Sequence, residues 1–88
     1  MRSRARLMDP FILYSRQGCC LCEGLEERLL EFLPPDQLQV VDVDGDPALQ
    51  ARYGLSVPVL ARQGSALPPV PPRLRGQGLK AWLQRHAG

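Results

Sequence analysis

Apolar and polar positions along the chain follow two different periods, which predict strands and helices in turn. The continuous apolar run from Phe11 to Tyr14 predicts a strand over Pro10 to Ser15, buried on both faces as in parallel sheets. From Cys20 to Leu33 the apolar residues recur at helical spacing, and the glutamates between them are weighted towards the start. This pattern predicts a helix that Pro34 stops.

Five further elements follow from the same reasoning. Branched apolar runs predict strands, helical spacing predicts two more helices, and glycine or proline marks most boundaries. In chain order they are a strand over Gln37 to Asp44, a helix from Pro47 to Arg52 or Tyr53 capped by Asp46 and Gly54, a strand over Val57 to Ala61, an edge strand over Ala66 to Val70 and a helix over Gly76 to Ala87. The order β-α-β-α-β-β-α predicts one α/β domain over residues 9–88.

Prolines compromise the fourth strand of this prediction. Pro68, Pro69, Pro71 and Pro72 have no backbone N–H to donate to a ladder. Gly64-Ser65 predicts the hairpin turn before this strand. We interpret the proline cluster as a stiff connection in preference to a ligand of proline-recognition domains.

Length and charge indicate the broad class of protein, a single small domain with a basic N-terminal segment. The 88 residues suit one domain, and the net charge of +2 depends on three arginines in the first six positions. We interpret residues 1–8 as a basic, disordered tail with Met8 as an alternative start. No apolar run approaches the roughly 18 residues of a membrane span, and no signal peptide is recognisable. We therefore expect a cytoplasmic monomer without nucleic-acid or membrane partners.

The strongest chemical feature is a cluster of cysteines between the first strand and the first helix. Cys19, Cys20 and Cys22 are the three cysteines of the chain, and such close spacing cannot staple distant loops. A cysteine at a helix start gains from unpaired N–H groups and from the helix dipole, which favour the attacking thiolate. Cys22 lies one turn further on, close enough to resolve a mixed disulfide. Arg16 adds a positive charge, which Glu23 opposes.

A metal site is the alternative use of clustered thiols. Zinc takes four ligands, and the C-x-x-C pair supplies two of them. The remaining candidates are Cys20, which lies between the two cysteines of the pair, and His86, near the end of the chain. We therefore predict no metal, interpret His86 as a solvated helix-end residue, and keep an iron–sulfur cluster between two chains as a weaker alternative.

Two segments resemble the glutaredoxin-like family of small thioredoxin-fold proteins. They are Leu13 to Glu23, which contains the C-x-x-C, and Tyr53 to Leu60, which contains Val57-Pro58. The resemblance spans about residues 9–87 and implies a four-stranded mixed sheet flanked by three helices. It also implies site roles: Cys19 as nucleophile, Cys22 as resolving cysteine, Val57 as the backbone contact to substrate, a cis Pro58 beside the thiols, and Arg16 as a contact to a glutathione carboxylate.

These features predict a thiol–disulfide oxidoreductase acting on a protein or small-molecule disulfide. No cofactor is expected to stay bound. Glutathione is a candidate co-substrate, and glutathione or a reductase would reduce the Cys19–Cys22 disulfide after each cycle. Two departures from the family pattern bear on this: Cys20 replaces the usual proline, and no acidic residue precedes the last helix to hold the glutathione amino group. We interpret Cys20 as a tolerated small residue, with intermolecular disulfides as its alternative. The alternative function is a non-catalytic module that senses redox state or binds metal or a partner.

Overall fold

A four-stranded mixed sheet organises the computed structural model, which describes residues 10–87. The strands are β1 (Phe11–Ser15), β2 (Leu38–Asp42), β3 (Val59–Arg62) and β4 (Ser65–Ala66), in the spatial order β2-β1-β3-β4. β1 pairs with β2 in parallel, whereas β1–β3 and β3–β4 are antiparallel. This confirms the expected α/β fold. The predicted tail, residues 1–8, lies outside the described part of the chain.

Three α-helices accompany the sheet: α1 (Cys20–Leu30), α2 (Pro47–Tyr53) and α3 (Gly76–Ala87). Within the described residues none of them is long and apolar enough to cross a membrane. Leu25 and Leu29 of α1 and Leu79 and Leu83 of α3 are buried. Together with apolar residues of the strands they form one core cluster: Phe11, Leu13, Leu25, Leu29, Leu38, Leu60, Leu79 and Leu83.

The ends of α1 and β2 both come earlier than the sequence predicts. α1 ends at Leu30 and not at Leu33, although Phe32 and Leu33 still donate backbone hydrogen bonds to the carbonyl of Leu29 and pack on the core. Leu33 itself precedes Pro34, and a residue before proline disfavours helical backbone. β2 stops at Asp42 because the carboxylate of Asp42 accepts the N–H of Asp44 at 2.9 Å and turns the chain into a 3₁₀ turn.

The edge strand is much shorter than predicted. The hairpin turn is Gln63-Gly64, one residue earlier than expected, and both residues have positive φ (56° and 80°), as a type I′ turn requires. β4 then contains two residues, and the N–H of Leu67 adds one further bond, at 2.8 Å, to the carbonyl of Leu60. The prediction of a strand reaching Val70 was wrong, because Pro68 and Pro69 cannot continue the ladder.

Leu13 is the buried centre of β1, with none of its surface exposed. We expect Leu13→Ala to lower the free energy of unfolding by about 2–5 kcal/mol, through lost apolar burial and the cavity left behind. Urea denaturation followed by circular dichroism measures this. Leu55→Ala is the matched control, because Leu55 is fully exposed (103%) and should change stability by less than about 0.5 kcal/mol. Equal losses in both variants would contradict this assignment of the core.

Candidate active site

Cys19 is the N-cap of α1, immediately after the loop that leaves β1. Its backbone is extended (φ −91°, ψ 106°), and its Sγ accepts the backbone N–H of Cys22 at 3.2 Å. Its own N–H bonds to the carbonyl of Arg16 at 3.2 Å, which closes the loop. The sulfur therefore takes the place that a serine or aspartate oxygen takes in most helix caps. An anion at this position faces the unpaired N–H groups of the first turn.

The three free thiols of the cluster differ strongly in exposure. Cys19 is half-buried, Cys20 is exposed and Cys22 is completely buried. Burial raises the pKa of the Cys22 thiol, and the hydrogen bond with Cys19 raises it further. Hydrogen bonds from the backbone of Arg16 and the side chain of Ser15 act in the opposite direction on the same pKa. The arrangement is a half-buried cysteine at the helix end beside a fully buried thiol whose pKa is raised.

Arg16 forms an ion pair across the loop. Its Nε donates to both carboxylate oxygens of Asp44, at 3.1 and 3.2 Å, and Asp44 also accepts from Nε2 of Gln50 at 3.0 Å. These contacts connect the loop before Cys19 to the turn after β2 and to α2. Arg16 was predicted to contact a substrate carboxylate, and its Nε is engaged by Asp44.

Gly54 lies where this network leaves no space for a side chain. It is buried and ends α2, as predicted, with right-handed backbone (φ −55°). A Cβ at this position would lie 2.4 Å from the carbonyl oxygen of Gln50 and 3.2 Å from Nη2 of Arg16. The close approach, and not a left-handed conformation, is what requires glycine here.

Val57 and Pro58 stand at the same end of the sheet as the cysteines. Tyr14 pairs with Val59, so the antiparallel ladder places the start of β3 beside the end of β1, from which the cysteine loop departs. The Val57–Pro58 peptide bond is cis, as the family resemblance implied. Both residues are half-buried and precede the strand, which begins at Val59 and not at Val57 as expected.

Residues 68–72, which we term the proline-rich segment, pack beside α1. Arg28 of α1 holds the region, because its Nη1 donates to the carbonyls of Pro71 (3.2 Å) and Leu74, and its Nε to that of Gly24 (3.3 Å). Between this segment and α1 lies an open groove of about 180 Å³. Its described lining is Leu21, Leu25, Arg28, Ser56, Pro58, Pro69, Val70 and Pro72.

The described residues hold no cluster of metal-ligand type. Between Pro10 and Ala87 no three His, Cys, Asp or Glu side chains are grouped so as to hold an ion. His86, the candidate fourth zinc ligand, is exposed in the last turn of α3 with its ring 4.4 Å from that of Trp82. Trp82 itself is half-buried against the core.

The fold order and the C-x-x-C at a helix start, with a cis proline opposite, define a thioredoxin-fold protein. The chain belongs to the glutaredoxin-like domain family (DUF836), whose model matches residues 11–84. Its structure is similar to that of target protein XcR50 from X. campestris, with a TM-score of 0.63 and 31% sequence identity over 85% of this chain and 96% of that one. A comparison with curated proteins gives no match.

Sequence reasoning missed three residues that shape this site. Asp44 stands only at the end of the predicted second strand, Arg28 was given no role, and Gly54 was predicted as a helix cap alone. No local signal marks the first two, because their partners lie 28 and 43 or more residues away.

Gly54→Ala should lower the free energy of unfolding by about 1–3 kcal/mol, since the new Cβ overlaps a backbone oxygen that cannot rotate away. Gly24→Ala is the matched control inside α1. Nothing lies within 4 Å of its added Cβ, so alanine should stabilise the helix by about 0.5–1 kcal/mol. Thermal and urea denaturation measure both, and the same sign of change in the two variants would contradict the close approach at Gly54.

The raised pKa of Cys22 predicts a loss of stability in alkali. Above the ordinary value of 9.0 the unfolded chain loses the Cys22 proton while the folded chain keeps it, so folding stability falls as pH rises until the folded thiol also ionises. The added slope is at most about 1.4 kcal/mol per pH unit. Urea titrations between pH 8 and 11, at about unit steps, should show a steeper decline for the wild type than for Cys22→Ser. Identical slopes would contradict the buried protonated thiol.

Proposed function

We propose that this protein is a thiol–disulfide oxidoreductase in which Cys19 attacks and Cys22 resolves. The observation that carries the proposal is the sulfur of Cys19 at the N-cap of α1, 3.2 Å from the N–H of Cys22, with the Cys22 thiol buried beneath it. A thiolate accepts that hydrogen bond more strongly than a thiol does, because bonds to charged acceptors are stronger. We therefore assign the attack to the Cys19 sulfur.

The cycle moves two electrons from the dithiol to the substrate. The Cys19 thiolate attacks one sulfur of a substrate disulfide, forms a mixed disulfide and releases the other sulfur as a thiolate, which takes a proton from water. Cys22 then loses its proton and attacks the sulfur of Cys19. The Cys19–Cys22 disulfide forms, and the second substrate sulfur leaves as a thiol. A thiol reductant, either glutathione or the dithiol of a reductase, returns the two electrons.

Three residues are proposed to contact the substrate. Val57 would offer its backbone to an extended chain, and Pro58 would lie against the mixed disulfide, since both stand at the end of the sheet where the cysteine loop departs. Arg16 would reach a substrate carboxylate through its Nη groups, because Asp44 engages its Nε.

Two features support a reductive role inside the cell. All three cysteines lie within four residues, so they cannot staple distant segments as in secreted proteins, and the cytoplasm keeps such thiols reduced. Both reacting sulfurs belong to one chain, so a monomer would suffice. We therefore assign the activity to the cytoplasm.

Single cysteine substitutions test the proposed roles. Cys19→Ser should abolish reduction of a model disulfide, with a loss of at least about a thousandfold, because no other thiol occupies the helix cap. Cys22→Ser should accumulate a stable mixed disulfide on Cys19, detectable as an intact-mass increase. Cys20→Ser is the matched control and should retain most of the turnover, since Cys20 is exposed and outside the pair.

The same series identifies the non-catalytic alternative. A wild-type protein that forms no Cys19–Cys22 disulfide on oxidation and turns over no disulfide would be a binding or sensing module. Loss of turnover in Cys20→Ser, with Cys19→Ser active, would reassign the nucleophile.

A further inference from the structure

The groove between α1 and the proline-rich segment is lined mostly by apolar groups. Pro58 lies at one side, Pro69, Val70 and Pro72 at another, and Leu21, two residues after Cys19, at the helix. Leu21 is 63% exposed and Leu55, next to Ser56 of the groove wall, is fully exposed. Exposed large apolar side chains around a concave surface are typical of a site that binds apolar surface.

The one charged side chain among the described lining residues is engaged by the backbone. Arg28 donates through Nη1 to the carbonyls of Pro71 and Leu74 and through Nε to that of Gly24, so two of its three guanidinium nitrogens are occupied. It is a positioning residue, since these bonds hold the proline-rich segment beside α1.

Glutathione would find little to pair with here. It carries two carboxylates and one ammonium group, and burying an unpaired charge is costly. No acidic side chain is among the described lining residues of the groove. Arg75, before α3, is paired with Glu31, and Arg16, whose Nε is engaged by Asp44, is not among the described lining residues of the groove.

We infer that the disulfide substrate is a polypeptide whose reactive cysteine is flanked by apolar residues, and that this groove receives one of those side chains. The inference rests on the proposed function and specifies its substrate class. The proline-rich segment, which ends the β-sheet early, supplies a rigid apolar wall because prolines have little conformational freedom to lose on binding.

Competition at Cys19 tests the inference without requiring turnover. In Cys22→Ser, Cys19 is first converted to its mixed disulfide with glutathione. A peptide thiol with leucine and valine beside its cysteine is then titrated in; its thiolate attacks the sulfur of Cys19 and glutathione leaves as the thiol. Mass spectrometry gives the exchange equilibrium constant. A second peptide, with serine and glutamate in place of leucine and valine, corrects for intrinsic thiol chemistry.

The apolar peptide should be favoured over glutathione and over the polar peptide by about tenfold or more, since burying one aliphatic side chain suffices for that ratio. Leu21→Ser should reduce this preference at least about threefold. Leu30→Ser is the matched control on the same helix, because Leu30 is 40% exposed and outside the groove, and it should keep the preference.

The outcomes separate this inference from the proposed function. An exchange constant near one, or a preference for glutathione, overturns the apolar-peptide assignment while the reactive Cys19 stands. Equal effects of Leu21→Ser and Leu30→Ser overturn the placement in this groove. Failure of Cys19 to form any mixed disulfide overturns the proposed function, and the inference with it.

Discussion

The central position of β1 is the constraint on which the rest of the structure depends. β1 is paired on both edges, with β2 in parallel along all five residues and with β3 in antiparallel register along Phe11 to Tyr14. A register shift of one residue would turn Leu13 out of the core and would move all the other side chains of β1 to the opposite face of the sheet. Because the register is fixed, the carboxyl end of β1 and the start of β3 meet at the same end of the sheet. The cysteine loop and Pro58 are consequently brought together by backbone pairing.

The parts of the fold that could be predicted from sequence are those specified locally. The run from Phe11 to Tyr14, the helical spacing after Cys20 and the Asp46-Pro47 helix start all act within a few residues, and the structure places β1, α1 and α2 accordingly. The cis peptide at Pro58 came from family resemblance, since an ordinary X–Pro bond is mostly trans. The predicted length of β4 was too great because Pro68 and Pro69 end the strand, whereas the sequence prediction had them only weaken it.

The parts that could not be predicted depend on contacts between distant segments. Arg16 meets Asp44, and Arg28 meets the carbonyls of Pro71 and Leu74; these partners have no sequence pattern that identifies them. Gly54 shows the same limitation in another form. Its place after α2 was predictable, but its physical reason is the nearby carbonyl of Gln50 together with the guanidinium of Arg16.

The unequal environments of Cys19 and Cys22 give the proposed cycle its order. The thiol proposed to meet the substrate is half-buried at a helix end, whereas the second is fully buried and has a raised pKa. Burial is the largest cause of the raised pKa of Cys22 and does not change during the cycle; two smaller causes, its hydrogen bond with Cys19 and the charge of that sulfur, involve Cys19 directly. Once Cys19 is in a mixed disulfide its charge is gone, and both causes weaken. The hydrogen bonds from Arg16 and Ser15 still favour the Cys22 thiolate, so Cys22 becomes easier to ionise at the step where it must attack.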